Sequence, residues 1–261
     1  MLSFDVQSHS ITQPLGQLKA RLDALAAVSR KIGRRVATGW EKADGWLGGG
    51  LCCGATHEWV GVFDIPPISI LMHVAARAAE AAGESHIHPW IVCVGQEVWP
   101  TPHVVLRAGG GALLKRMLLI DPPSTHDRHW AIELALRCEG LVVIADASGM
   151  DMGCSRRMQL AAEHGLSLGL FARPAGEALA MSVAATRWLV KPVASSGNAP
   201  RWQVTLVRCK GMQSAETLAG GVMRGMVRDD RSLLVEVNDA GCVVAVHADI
   251  CKRCDSIAAA S

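Results

Sequence analysis

Short runs that are apolar throughout, separated by helix-length segments, constrain this chain more than any other feature of its sequence. Residues 141–145 read Leu-Val-Val-Ile-Ala, with no alternation of apolar and polar positions. A strand of that kind has no solvent face, so it belongs inside a parallel sheet covered by helices on both sides. Comparable strand signals fall at 56–61, 90–95, 116–120, 167–172, 187–192 and 203–209. Helices fit 68–82, 127–138 and 155–164, with Thr125 placed to cap the second and Gly83 and Gly165 where helices end. Strand and helix therefore alternate, and the expected fold is α/β with a mostly parallel sheet flanked by helices. The strands at 187–192 and 203–209 follow one another without a helix. A turn around Ser195, Ser196, Gly197 and Asn198 makes them an antiparallel hairpin at the sheet edge. A second hairpin is expected from 233–237 and 242–247, turned at Asn238, Asp239, Ala240 and Gly241, after an irregular connector over 211–231.

Ahead of this pattern, Leu15, Leu18, Leu22, Leu25, Val28 and Ile32 recur at three- and four-residue steps, the stripe of an amphipathic helix. Such a helix must dock on its own core or on a partner, so Leu15, Leu18, Leu22 and Leu25 are candidate interface residues. Three parts follow: a helical arm over 1–36, a core over 37–210, and a connector, hairpin and tail over 211–261. At 261 residues, half of them apolar, the chain has enough sequence for one substantial core. No apolar run reaches the roughly 18 residues that a membrane span needs, and Asp5 stands where a signal peptide would be basic. Nine cysteines, an odd number scattered through strands and helices, suit reduced thiols. The expectation is a cytoplasmic protein. A formal charge of +2 does not by itself mark a nucleic-acid binder. Arg30, Lys31, Arg34 and Arg35 form a local basic cluster that is either a solvated helix end or a weak phosphate contact.

The first strand–loop–helix unit carries the chemistry. A phosphate-binding loop has Gly, four residues, Gly, Lys, then Ser or Thr, between a strand and a helix. Counting from Gly61, the second glycine position holds Pro66, the lysine position Pro67 and the hydroxyl position Ile68. Proline offers no N–H to a phosphate. The lysine charge and the Mg²⁺-ligating hydroxyl are gone, and Asp64 adds a negative charge where a triphosphate would lie. A proline at the first turn of a helix is structurally favourable, so the fold tolerates what the chemistry does not.

Landmarks around this loop carry a family resemblance. Residues 37–61, with Gly48, Gly49, Gly50 and Gly54 before His57-Glu58-Trp59, resemble the glycine-rich opening of the RecA family. Glu97 after the second strand and Asp146 closing 141–145 fall where that family places its catalytic and Walker B carboxylates. Residues 116–174, above all Trp130 to Arg137 and Arg157 to Glu163, are similar to the middle of the bacterial ImuA family, RecA-like proteins of SOS mutagenesis cassettes. The segment from Ser182 to Trp188 fits as well, and the likeness runs over about 38–247. The resemblance implies a RecA-like P-loop NTPase fold with antiparallel edge strands and a degenerate nucleotide site of Gly61, Asp64, Pro66, Pro67, Ile68, Glu97 and Asp146. It implies no catalysis, no cofactor and an adaptor role in translesion DNA synthesis. The implied partners are an ImuB-type Y-family polymerase relative, an error-prone replicative-type polymerase and RecA. The two long DNA-gripping loops of RecA have no counterpart in the short segments after residues 145 and 172.

Two other functions compete: a SulA-type inhibitor of cell division, and a residual ATPase resting on Glu97 and Asp146. Cys251 and Cys254 with His247 offer three metal ligands where a structural zinc needs four, so no metal is expected. Trp90, Trp99, Trp130, Trp188 and Trp202 read as core or interface anchors.

Overall fold

The computed structural model describes residues 34–62, 65–81, 89–195, 199–210, 231–238 and 242–246. The helical arm with Leu15, Leu18, Leu22, Leu25, Arg30 and Lys31, the loop residue Asp64, most of the 211–231 connector and the tail with His247, Cys251 and Cys254 lie outside these residues.

The chain forms an α/β structure around a nine-stranded sheet. A two-stranded ribbon, β1 (Arg35–Val36) with β2 (Leu51–Cys52), brackets helix α1 (Glu41–Leu47). Then come β3 (Ala55–Gly61), α2 (Ile68–Ala81), β4 (Ile91–Val94), α3 (Pro102–Leu114), β5 (Met117–Ile120), α4 (Thr125–Arg137), β6 (Val142–Asp146), α5 (Met152–Gly165) and β7 (Leu168–Arg173). β8 (Thr186–Val193), β9 (Arg201–Cys209), β10 (Ser232–Val237) and β11 (Val243–Val246) complete it. The order across the sheet is β11-β10-β9-β8-β3-β7-β6-β4-β5. The block from β8 to β5 is parallel throughout. β9, β10 and β11 add antiparallel strands on the other side. The expected β8–β9 hairpin is present but not at the sheet edge, because the terminal hairpin continues the same sheet through β9.

Helices cover both faces of the parallel block, as strands apolar on both faces, such as β4 and most of β6, demand. Leu71, Val74, Ala75, Trp59, Ile91, Ile144 and Leu170 pack in the layer under α2 and α3, and Val94, Val143, Ala145, Ile132, Met158 and Phe171 in the layer under α4 and α5. Trp59 and Trp188 stack in the first layer with centroids 5.2 Å apart. At the amino end of β3, His57 is fully buried and bonded on both ring nitrogens. Its Nε2 lies 3.0 Å from the Cys52 carbonyl, an acceptor only, so that nitrogen carries the proton. Nδ1 then accepts from the Thr186 hydroxyl at 2.9 Å, which itself accepts from the Trp188 indole. Burial lowers the His57 pKa to about 4.

Three details depart from the sequence reading. Helix α4 is capped by Ser124, not Thr125: the Ser124 side chain accepts from the Asp127 amide at 3.1 Å. Helix α5 starts at Met152 because Asp151 caps it, accepting from the Cys154 amide at 2.7 Å. Helix α3 has no counterpart in the expectation, since Gly109, Gly110 and Gly111 break its pattern. The backbone there leaves helical geometry at Gly109 and Gly110 before the last turn resumes.

Candidate functional site

In an open α/β sheet, ligands enter the crevice beyond the carboxyl ends of the strands where the strand order reverses direction. Here that point lies between β4 and β6: from β4 the chain moves outward to β5, and from β6 it moves the other way through β7 to β8 beyond β3. The crevice along these carboxyl ends reaches the loop after β3. The residues singled out from the sequence converge there. Gly61 ends β3, Ile68 opens α2 directly after Pro66 and Pro67, Glu97 sits in the turn after β4, and Asp146 ends β6. Pro66, Glu97, Asp146, Ser148, Arg173 and Pro174 line one small cavity of about 170 Å³. Glu97, Asp121, Arg128 and Asp146 line an adjoining open cleft of about 560 Å³.

The chain's own backbone occupies the head of this loop. A Cβ placed on Gly61 would lie 2.0 Å from the Ile65 carbonyl oxygen, so the loop folds back over Gly61 and only glycine fits. Two amides at the start of α2 are spent locally: Ile68 donates to the Pro66 carbonyl at 2.8 Å and Ile70 to the Pro67 carbonyl at 3.0 Å. These donors would otherwise make a helix N-terminus an anion cradle.

The carboxylate at the end of β6 is also claimed. The Arg128 guanidinium on α4 bonds Asp146 Oδ2 at 2.5 Å, and its other nitrogen reaches the Ser148 carbonyl at 2.9 Å and hydroxyl at 3.1 Å. Asp146 Oδ1 accepts from the Ser148 amide at 2.9 Å. A fixed cation therefore holds the carboxylate that a metal would need. Gly95 makes the approach possible: at φ +97° it passes so close that a Cβ would sit 3.0 Å from the Asp146 Cβ. Glu97, by contrast, is exposed to the cleft.

Behind the crevice lies an ionic knot that the sequence reading missed. Glu58, in the middle of β3, and Arg173, ending β7, are each 1% exposed. They bond at 3.1 Å, and Arg187 of β8 reaches the second oxygen of Glu58 at 2.7 Å. Arg173 also bonds Glu177 and the Met150 carbonyl, and Arg187 the Ala178 carbonyl at 2.7 Å. Glu177 in turn accepts from the Gly149 amide at 2.8 Å. The knot ties the segments after β6 and β7 to the centre of the sheet. A charge beside large apolar residues in β3, β7 and β8 was the available signal, because a buried charge requires a partner. Arg128 had a similar signal, a cation in the first turn of a helix where the dipole disfavours it.

The remaining sequence-predicted positions are elsewhere. Arg35 does not face the crevice: its guanidinium bonds the Leu47 and Gly50 carbonyls at 2.9 and 3.0 Å, closing the small ribbon. Arg34 is exposed beside it. Trp188 is core, whereas Trp130 is 61% exposed on α4. Among the described residues no cluster of three or more His, Cys, Asp or Glu could hold a metal ion, and no helix is long and apolar enough to cross a membrane. No protein-family model matches the chain, and no curated protein matches its sequence significantly.

Proposed function

We propose that this chain is a RecA-like protein whose nucleotide position has been overwritten, acting as a non-catalytic adaptor of the ImuA type. In this reading it serves the SOS response and assists error-prone translesion synthesis. It does so through contacts with an ImuB-type polymerase relative, an error-prone replicative-type polymerase and RecA. One observation carries the loss of catalysis: the positions that would meet a nucleotide are filled by the protein itself. Prolines stand at the loop, α2 amides bond nearby carbonyls, and Arg128 sits on Asp146. The crevice at the carboxyl ends of β3, β4 and β6 supports the RecA-like part of the reading. The adaptor role rests on the sequence likeness over residues 116–174.

A residual ATPase is the competing reading, favoured by Glu97 and Asp146 lining one cavity. A SulA-type division inhibitor has no observation of its own here. Affinity purification of the tagged chain from cells induced for DNA damage tests the adaptor: the ImuB-type protein is expected to co-purify, and its absence from repeated pull-downs overturns the proposal. Blocked septation on overexpression would instead favour the division inhibitor.

A further inference from the structure

The far edge of the sheet is bare in a way the crevice is not. Strand β5 is last in the order, and among the described residues nothing pairs with its outer side. The Ile91 amide bonds the Arg116 carbonyl at 2.9 Å and the Gly95 amide the Ile120 carbonyl at 3.0 Å, so residues 116, 118 and 120 point their backbone groups at β4. By the two-residue repeat of a strand, Met117 and Leu119 point theirs outward.

Natural sheets protect such edges with charge, proline or a bulge. This one carries Leu118 and Leu119, 49% and 46% exposed, on opposite faces of the strand. The helices that precede and follow β5 also carry exposed apolar side chains, Leu106 and Leu114 on α3 and Trp130 and Leu134 on α4. Exposed apolar side chains gathered around an open strand mark an interaction site.

Charge says what kind of partner fits. Residues 98–120 contain no Asp or Glu, but do contain His103, Arg107, Lys115 and Arg116. Arg107 and Lys115 are exposed, and neither forms an ion pair among the described residues. Asp121, which directly follows β5, accepts from Gln96, and Glu133 on α4 pairs with Arg137. Residues 1–33 of the chain itself are a poor complement, since they hold Lys19, Arg21, Arg30 and Lys31 against Asp5 and Asp23.

We infer that the β5 edge is a docking site for an extended segment of a partner protein that alternates apolar and acidic residues and adds to the sheet as a tenth strand. Its backbone bonds Met117 and Leu119, its apolar side chains meet Leu118 on the face toward α4, and its acids, on the opposite face toward α3, meet Arg107 and Lys115. This deepens the adaptor reading, which it supplies with a contact surface, and it is tested without nucleotide or cassette proteins.

The probe is a fluorescent synthetic peptide of about ten residues, alternating Val or Ile with Asp or Glu, titrated with the full chain and followed by anisotropy. Leu119→Pro removes an outward N–H while leaving the bonds to β4 intact, and is expected to weaken binding about tenfold or more. The doubly substituted Arg107→Glu, Lys115→Glu chain changes only exposed charges, so it keeps the test alive if the proline variant misfolds. It is expected to bind about tenfold more weakly and to prefer the matching Lys-containing peptide. Absence of binding up to about 1 mM peptide, or equal affinity in a folded Leu119→Pro chain and the charge-reversed chain, overturns the inference. So does displacement of the peptide by a single-stranded oligonucleotide that loses affinity in the same variants. Self-association of the wild type that Leu119→Pro abolishes, without peptide binding, would reassign the edge to a second copy of this chain.

Discussion

The crevice at the end of β3 and the open edge at β5 belong to one sheet and treat their polar groups in opposite ways. In the crevice most groups that a ligand would use are turned inward, Glu97 excepted: the Ile68 and Ile70 amides, Asp146 and the Glu58 knot bond the chain itself. At the edge, backbone groups and large apolar side chains are left without partners among the described residues. The two regions differ in what their residues contribute, stability in the first and contact in the second. Substitutions should therefore cost much in the crevice and little at the edge, and that contrast is open to measurement.

The largest expected effect is at Glu58. Replacing it by alanine leaves Arg173 and Arg187 buried with no carboxylate between them, a loss on the order of 3–5 kcal/mol. Urea denaturation reads it directly, and a loss below about 1 kcal/mol would mean that the knot is not a structural centre. Replacing all three charged residues by apolar ones of similar volume should cost far less than Glu58→Ala alone, since the cost lies in the orphaned charges.

A second prediction concerns pH and extends the contrast to the amino end of β3. His57 is neutral and satisfied when folded, with its pKa lowered to about 4 from 6.5. As the pH falls, the unfolded chain therefore takes up the proton first. The contribution is complete above the unfolded value of 6.5 and drains away between there and 4, at up to about 1.4 kcal/mol per pH unit. His57→Gln should flatten that part of the stability profile; an unchanged slope would remove His57 as its source.

A third prediction separates two explanations for Gly61. In a working phosphate loop the glycine serves the nucleotide, whereas here its hydrogen faces the Ile65 carbonyl. Gly61→Ala should lose about 1–3 kcal/mol of stability in the absence of any ligand. The smallest effect belongs to the other region. Leu119→Lys at the half-exposed edge should change stability by no more than about 0.5 kcal/mol. A loss of about 2 kcal/mol or more would show that Leu119 is packed in solution and would remove the bare edge.

Much of this architecture was readable in the sequence because strands such as Val142–Asp146 have no polar face to misplace. Helix α3 was not, because three consecutive glycines hide a helix that a proline start and a Thr101 cap nevertheless establish. At the site, Gly61, Pro66, Pro67, Ile68, Glu97 and Asp146 were identified by position along the chain. Arg128 and the Glu58–Arg173–Arg187 knot were not: Arg128 meets Asp146 only when its helix packs against β6, and the knot forms only once β3, β7 and β8 lie side by side. Periodicity reports which face a residue takes, but not which distant charge waits there. The open edge escaped for the related reason that strand order, not strand content, makes β5 terminal.

The claim that the protein fills its own nucleotide position is tested most directly by isothermal titration of the full chain with Mg²⁺-ATP, repeated with Arg128→Ala to free Asp146. The account predicts no binding heat up to millimolar nucleotide for either protein, because the α2 amides remain bonded to the Pro66 and Pro67 carbonyls. A micromolar dissociation constant for the wild type, lost on Asp146→Ala, would contradict it.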